Sequence, residues 1–258
     1  MKERTMKILV FVKLVPDLVE ELEIDESGKA LDTTWLRMII NEFDDHALEQ
    51  AILIKDEHGA HVTVCSPDVA DADDVLYTAA AKGADQLVKI CGDLKGANNH
   101  TLARAIAPLV QELEPDLVLT GVQANNDLDG ALGPLLSEHL GWPYVGYIAG
   151  VFLGDGGVTA RKEYPGGLIA EMEVDLPAVL GVQAAEQPPR YVAVSKVRMA
   201  MKSASIEAKD LADLDASDGL PIERMFQPEA TERATMLEGG EDEVAERIIE
   251  VFRKLGVL

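Results

Sequence analysis

Short, nearly continuous apolar runs recur along this chain, and they limit what it can fold into more than any other feature. "KILVFVKLV" (7–15), "HVTVCS" (61–66), "DQLVKI" (85–90) and "DLVLTGV" (116–122) are too short for buried helices and lack the alternation of a half-exposed strand. Strands covered on both faces read this way. The segments between them carry helical spacing. In "DDHALEQAILIKDEHG" the residues Leu48, Ala51, Ile52 and Lys55 share one face, with Asp44 or Asp45 as an N-cap and Gly59 as the stop. "DADDVLYTAAAKG" closes on Gly83 in the same manner, and "TLARAIAPLVQEL" lines up Leu102, Ala105, Ile106, Leu109 and Leu113 despite a bending Pro108. Strands alternating with helices predict an α/β fold built on a doubly wound, mostly parallel sheet. A chain of 258 residues, 47% hydrophobic, can bury one such core.

The remaining segments are additions to that core. "EELEIDESGKALD" flanks Glu26-Ser27-Gly28-Lys29 with alternating residues and predicts a hairpin before the first helix. After residue 143, "YVGYIAGVFL", "GVTARKEYPGG" and "LIAEMEVDLPAVLGVQ" predict an antiparallel, strand-rich extension. From about residue 203 the chain is polar and acidic until "EDEVAERIIEVFRKLG", where Val244, Ile248, Val251 and Leu255 form a helical stripe ending at Gly256. A net charge of -23 disfavours nucleic acid and anionic membrane surfaces as partners. Cys65 and Cys91 have no paired spacing and read as free thiols in a reducing compartment. The N-terminal apolar run contains Lys13 and lacks a cleavage site, and no stretch is long enough to span a bilayer, so a cytoplasmic protein is expected.

"GVQANNDLDGALGP" (121–134) is the segment richest in binding groups. It follows a strand and precedes a helix, the position where open parallel sheets collect ligands. Gly121, Gly130 and Gly133 permit close backbone approach, the helix amides suit a phosphate, and Gln123, Asn125 and Asn126 suit ribose hydroxyls or a base edge. Asp127 and Asp129 would repel that phosphate unless they are turned elsewhere. A plain capped turn would use the same residues, so spacing alone leaves both readings open. Neither a P-loop nor a dinucleotide fingerprint is present, and His46, His58, His61, His100 and His139 lack metal-ligand spacing and read as surface residues. No nucleophile elbow or acid/base pair stands out, which leaves binding without bond-breaking.

Seven ordered pieces, "KILVFVKLVPD", "INEFDDHALEQA", "AAAKGADQLV", "DLVLTGVQANND", "GWP", "LPAVLGV" and "PPRY", make the chain resemble the small, or beta, subunit of electron-transfer flavoproteins. The resemblance implies an adenine-nucleotide-binding α/β domain over residues 1–202, then a polar linker and C-terminal docking helix over 203–258. It also implies a heterodimer with an alpha subunit that carries most of an FAD, while this chain holds AMP or the adenylate of a second FAD. The partners implied are a donor dehydrogenase and an acceptor oxidoreductase, and the chain would be an electron carrier rather than an enzyme.

By the same resemblance, Phe11, Asn41, Glu42, Phe43, Asp44 and Ser66 occupy nucleotide-contacting positions. Gly121, Val122, Gln123, Ala124, Asn125, Asn126, Asp127, Leu128, Asp129, Gly130, Ala131 and Leu132 form the nucleotide loop, and Tyr191, Val194 and Lys196 fall in the partner-docking segment. Phe43 either reaches toward the flavin or staples the helix beginning near residue 45. The chain departs from the family pattern at Glu42, where proline is usual, at Asn126, Leu128 and Ala131 in the loop, and at Val194, where leucine is common. "KVRMAMK" reads either as a basic patch that steers an acidic partner or as an amphipathic strand. A stand-alone adenylate-binding sensor of the same fold is the alternative function.

Overall fold

The computed structural model describes residues 5–92, 97–127, 129–154, 156–210, 219–228 and 234–258. The chain divides into two compact units, Met1–Glu223 and Arg224–Leu258. In the first unit β1 (Lys7–Phe11) leads into a ribbon of β2 (Leu14–Pro16) and β3 (Met38–Ile40), followed by α1 (Glu42–His58), β4 (His61–Pro67) and α2 (Ala72–Lys82). Next come β5 (Gln86–Cys91), α3 (Asn99–Leu113), β6 (Leu117–Gly121) and α4 (Leu132–Leu140). Then follow β7 (Tyr144–Leu153), β8 (Gly157–Tyr164), β9 (Leu168–Asp175), β10 (Ala178–Val182), α5 (Val194–Ser203) and β11 (Ile206–Asp210).

Nine strands form one sheet in the order β11-β5-β4-β1-β6-β10-β7-β8-β9. The strands from β11 to β7 are parallel, and β8 and β9 add an antiparallel hairpin, which is the mixed α/β architecture the sequence predicts. Alternation along β1 explains the two layers. Ile8, Val10 and Val12 enter one core with Leu48, Ile52 and Leu76 of α1 and α2. Leu9 and Phe11 enter the other with Ile106, Val110 and Leu136 of α3 and α4.

Several local readings are corrected. The first helix begins earlier than its acidic pair indicates: Asn41 occupies the N-cap position, and Asp44 lies inside the first turn with its carboxylate engaged elsewhere. Phe43 is therefore a residue of that turn and does not precede the helix, which removes the staple reading. The "KVRMAMK" stretch is helical, not a strand, because Val197 and Ala200, three residues apart, turn inward while Tyr191, Val194 and Lys196 stay exposed. The hairpin near Gly28 is reduced to a single Ile24–Leu31 bridge. In the polar stretch past residue 203, β11 pairs with β5, and its Lys209 bonds Glu112 and Glu207 at 2.7 and 2.8 Å. The second unit contains α6 (Glu241–Leu255), which starts with the Gly240 N–H donating to Glu243 Oε2 at 3.1 Å and ends at Gly256 in the left-handed region.

One face of α1 is polar although buried, and it holds the strand-to-helix connection before α5. The N–H groups of Ala185, Glu186 and Arg190 donate to His46 Nδ1, Gln50 Oε1 and Glu49 Oε2 at 3.2, 3.2 and 2.9 Å. His46 is thus a backbone acceptor and not a free surface histidine. The Arg190 guanidinium also bonds Glu49 at 2.9 Å and Asp56 at 3.0 Å, and Glu49 is almost fully buried. Replacing Arg190 by alanine strands that carboxylate, so R190A should cost roughly 2–3 kcal/mol in urea unfolding. A change below about 0.5 kcal/mol would mean that the pair is a surface contact with no anchoring role.

Candidate functional site

The carboxyl ends of β1 and β6 are neighbours, but their register ends at Val10–Leu119. Beyond that point the two strands leave N–H groups that the sheet no longer satisfies. Asp44 supplies the acceptor for both. Its Oδ2 accepts from Lys13 N and its Oδ1 from Gly121 N, each at 2.8 Å, although the residue comes from the first turn of α1. Burial pushes this carboxyl from its ordinary 3.8 up to about 6, opposed by the two backbone N–H donors. Asn41 completes the junction: its backbone N–H donates to Lys13 O at 2.9 Å and its Nδ2 to Gln123 O at 2.8 Å.

Gly121 has no room for a side chain at this junction. A Cβ there would lie 2.5 Å from Asp44 Oδ1 and 2.7 Å from Phe43 Cβ. Gly130 serves differently, turning the loop in the left-handed region at φ +59. Between these glycines Val122 and Ala124 are buried and Gln123, Asn125 and Asn126 are exposed. Leu128 lies outside the described residues.

Both loop acids are engaged by the protein's own donors, Asp127 half-buried and Asp129 exposed. Asp127 Oδ1 pairs with the Lys13 ammonium, and its Oδ2 accepts from Ala124 N at 2.9 Å. Asp129 Oδ1 accepts from Asn99 Nδ2 at 2.6 Å and from Ala131 N at 3.1 Å. The electrostatic objection to a phosphate here is therefore weakened. Leu132 and Gly133 open α4, and among the described residues nothing accepts from their N–H groups. Beneath them the buried Thr120 hydroxyl has no partner among the described residues, and a Cβ on Gly133 would come within 3.1 Å of it. Two free amides at a helix start and three exposed side-chain amides fit a phosphorylated ribose, while the glycines serve the packing of the loop against Asp44, Phe43 and Tyr144.

The other predicted positions divide into near and far groups. Phe11 ends β1, the neighbour of β6, and Ser66 lies one residue before the end of β4 on the far side of β1. The Phe11 ring is fully buried among α3 and α4 side chains, so a ligand would meet this position through its backbone. Ser66 is likewise buried and donates to Pro67 O at 3.3 Å. Glu42 is exposed and Phe43 half-buried at the start of α1. Tyr191 (88% exposed), Val194 (61%) and Lys196 belong to the separate segment anchored through Arg190.

Residues 30–214 match the electron transfer flavoprotein domain. The electron transfer flavoprotein subunit beta of Methylophilus methylotrophus is 32% identical over 262 residues, covering 96% of this chain and 98% of its own length. This chain belongs to the electron-transfer flavoprotein beta-subunit family. Its relative from Clostridium acetobutylicum is 34% identical, covering 83% of this chain and 82% of its own length. The rice protein "electron transfer flavoprotein subunit beta, mitochondrial" is 30% identical, covering 94% and 97%. In this member of the family, among the described residues, no helix is long and apolar enough to cross a membrane and no cluster of His, Cys, Asp or Glu could hold a metal.

Two substitutions test the junction. Gly121→Ala should destabilise the fold by about 1–3 kcal/mol in urea unfolding, because backbone and Asp44 must move together; an unchanged midpoint would refute the close packing. For Asp44 the sign follows from its raised value. The folded chain takes up this proton before the unfolded chain does, so the contribution is present at low pH and is lost as pH rises through about 6. The stability difference between wild type and Asp44→Asn should therefore move in favour of the wild type by roughly 1–3 kcal/mol between about pH 7 and about pH 4. A difference independent of pH would show that Asp44 titrates as an ordinary carboxyl.

Proposed function

We propose that this chain is the beta subunit of a heterodimeric electron-transfer flavoprotein and that the loop from Gly121 to Leu132 holds an adenylate, either AMP or that of a second FAD. The observation that carries this reading is two open amides at the start of α4 beside two loop carboxylates that already have partners within the protein. Leu132 and Gly133 N–H would receive the phosphate, and Gln123, Asn125 and Asn126 the ribose or base edge. Phe11, Ser66 and the Asn41–Asp44 turn would close the base end, Phe11 through its backbone.

The FAD shared with the alpha subunit accepts and donates electrons when bound. The chain's own residues position and shield it. Phe43, half-buried beside Gly121, is the aromatic residue of the junction that would face that cofactor. Tyr191, Val194 and Lys196 would form the contact for a donor dehydrogenase or acceptor oxidoreductase, held in place by the Arg190–Glu49 pair. The α6 stripe of Val244, Ile248, Val251 and Leu255 would dock on the alpha subunit. None of these roles requires an acid, a base or a nucleophile, so the chain acts as an electron carrier with its partner.

Co-expression with the alpha subunit, followed by purification, denaturation and mass spectrometry of the released small molecules, tests this assignment. A yellow heterodimer releasing FAD together with AMP, or FAD in excess of one per heterodimer, is expected. A colourless chain that neither binds an alpha subunit nor releases a nucleotide would contradict it, and adenylate released from a chain without any flavin partner would favour the stand-alone sensor.

A further inference from the structure

The candidate nucleotide loop is poor in positive charge. Asp44 lies beneath it, Asp127 and Asp129 lie within it, and the cations paired with its acids are Lys13 and, when protonated, His100. His100 stands at the outer side, its Nε2 4.0 Å from Asp129 Oδ2 and its side chain 38% exposed. Lys13 stands at the inner side, with its side chain 13% exposed. A phosphate dianion drawn to the α4 amides would be repelled by three carboxylates unless a cation offset them, and a shielded ammonium does this better than an exposed imidazole.

Lys13 also starts from backbone that is held on both sides. Its N–H donates to Asp44 and its carbonyl accepts from Asn41. From this base the ammonium reaches Asp127 in the loop and Asn99 Oδ1, 3.4 Å away, in the first turn of α3. Asn99 in turn bonds Asp129, which bonds Ala131 N at the entry to α4. An ammonium has three N–H donors and two are used here, so one is left for a ligand.

Resting on the adenylate assignment above, we propose that Lys13 is the residue that selects a nucleoside monophosphate over the uncharged nucleoside, with Asp127 as the built-in competitor for its ammonium. The carboxylate of Asp127 and the ligand's phosphate share one cation. Neutralising Asp127 therefore strengthens monophosphate binding, and neutralising Lys13 weakens it. Adenosine, which carries no phosphate, is indifferent to both changes. Asparagine at position 127 keeps an oxygen for Ala124 N while ending the ion pair, so the turn survives the substitution.

Isothermal titration of the full chain with AMP and with adenosine reads this selection directly. Lys13→Met should weaken AMP binding by about tenfold or more and leave adenosine within about twofold, as expected for loss of one charge-assisted contact. Lys13→Arg should retain most of the preference. Asp127→Asn should tighten AMP several-fold, roughly the gain from releasing an ammonium from a competing carboxylate. Because Lys13→Met alone leaves Asp127 without its cation, the Lys13→Met/Asp127→Asn double variant controls for folding, and it too should show a preference for AMP reduced from that of the wild type. An AMP-to-adenosine ratio unchanged in Lys13→Met and in the double variant, or both ligands weakened alike, overturns the role of Lys13 while leaving the adenylate site standing. Failure of the wild-type chain to bind either compound overturns the adenylate assignment itself.

Discussion

A single buried carboxylate holds the place where two neighbouring strands of this sheet stop pairing. Asp44 accepts from Lys13 N and Gly121 N, past the last paired residues of β1 and β6, and it does so from a helix that also packs beneath them. Without such an acceptor both N–H groups would be buried and unsatisfied, at roughly 1–3 kcal/mol each. The same junction makes glycine necessary at position 121, sets the direction of Lys13 and allows Asn41 to tie down the start of the loop. The features that make the loop suitable for a phosphorylated ribose are therefore consequences of how the sheet ends.

The electrostatics of the region follow from this arrangement. A chain with a net charge of -23 is a poor host for a phosphate unless its local acids have other partners. Here Asp44 is bound to two backbone amides, Asp127 to Lys13 and Asp129 to Asn99 and the entry of α4. Each carboxylate stabilises protein structure, and Asp129 does so at the entry of α4 itself, where it takes the Ala131 N–H. A second anchored surface lies one to two turns further along α1, where Glu49, Gln50 and His46 hold residues 185–190 and so present Tyr191 and Val194. One helix thus organises both the candidate nucleotide site and the candidate docking segment.

The parallel sheet was legible in the sequence because strands covered on both faces must be apolar throughout, and "KILVF" and "AVLGV" could hardly be anything else. The loop was legible as a ligand-sized turn for the same local reason, its glycines and amides following a strand end. What local pattern could not reveal was pairing across distance. Asp44 looks like a helix cap, yet its partners are 31 and 77 residues away, and Lys13 meets Asp127 across 114 residues. The α5 segment misleads in another way: V-x-V-x-K-x-R alternates as a strand would, but Val197 and Ala200 face inward together only on a helix. Arg190 and Glu49 were invisible because a buried acid on an amphipathic helix has no sequence signature apart from its distant arginine.

The most direct test of the junction is a pH titration of the backbone amides of Lys13 and Gly121 by NMR. If one shared carboxylate holds both strand ends, the two resonances shift together with a common midpoint of about 6, the value to which burial pushes Asp44. Amides that titrate with separate midpoints would show that the strand ends are not joined by that group and would remove the physical basis for the loop above them.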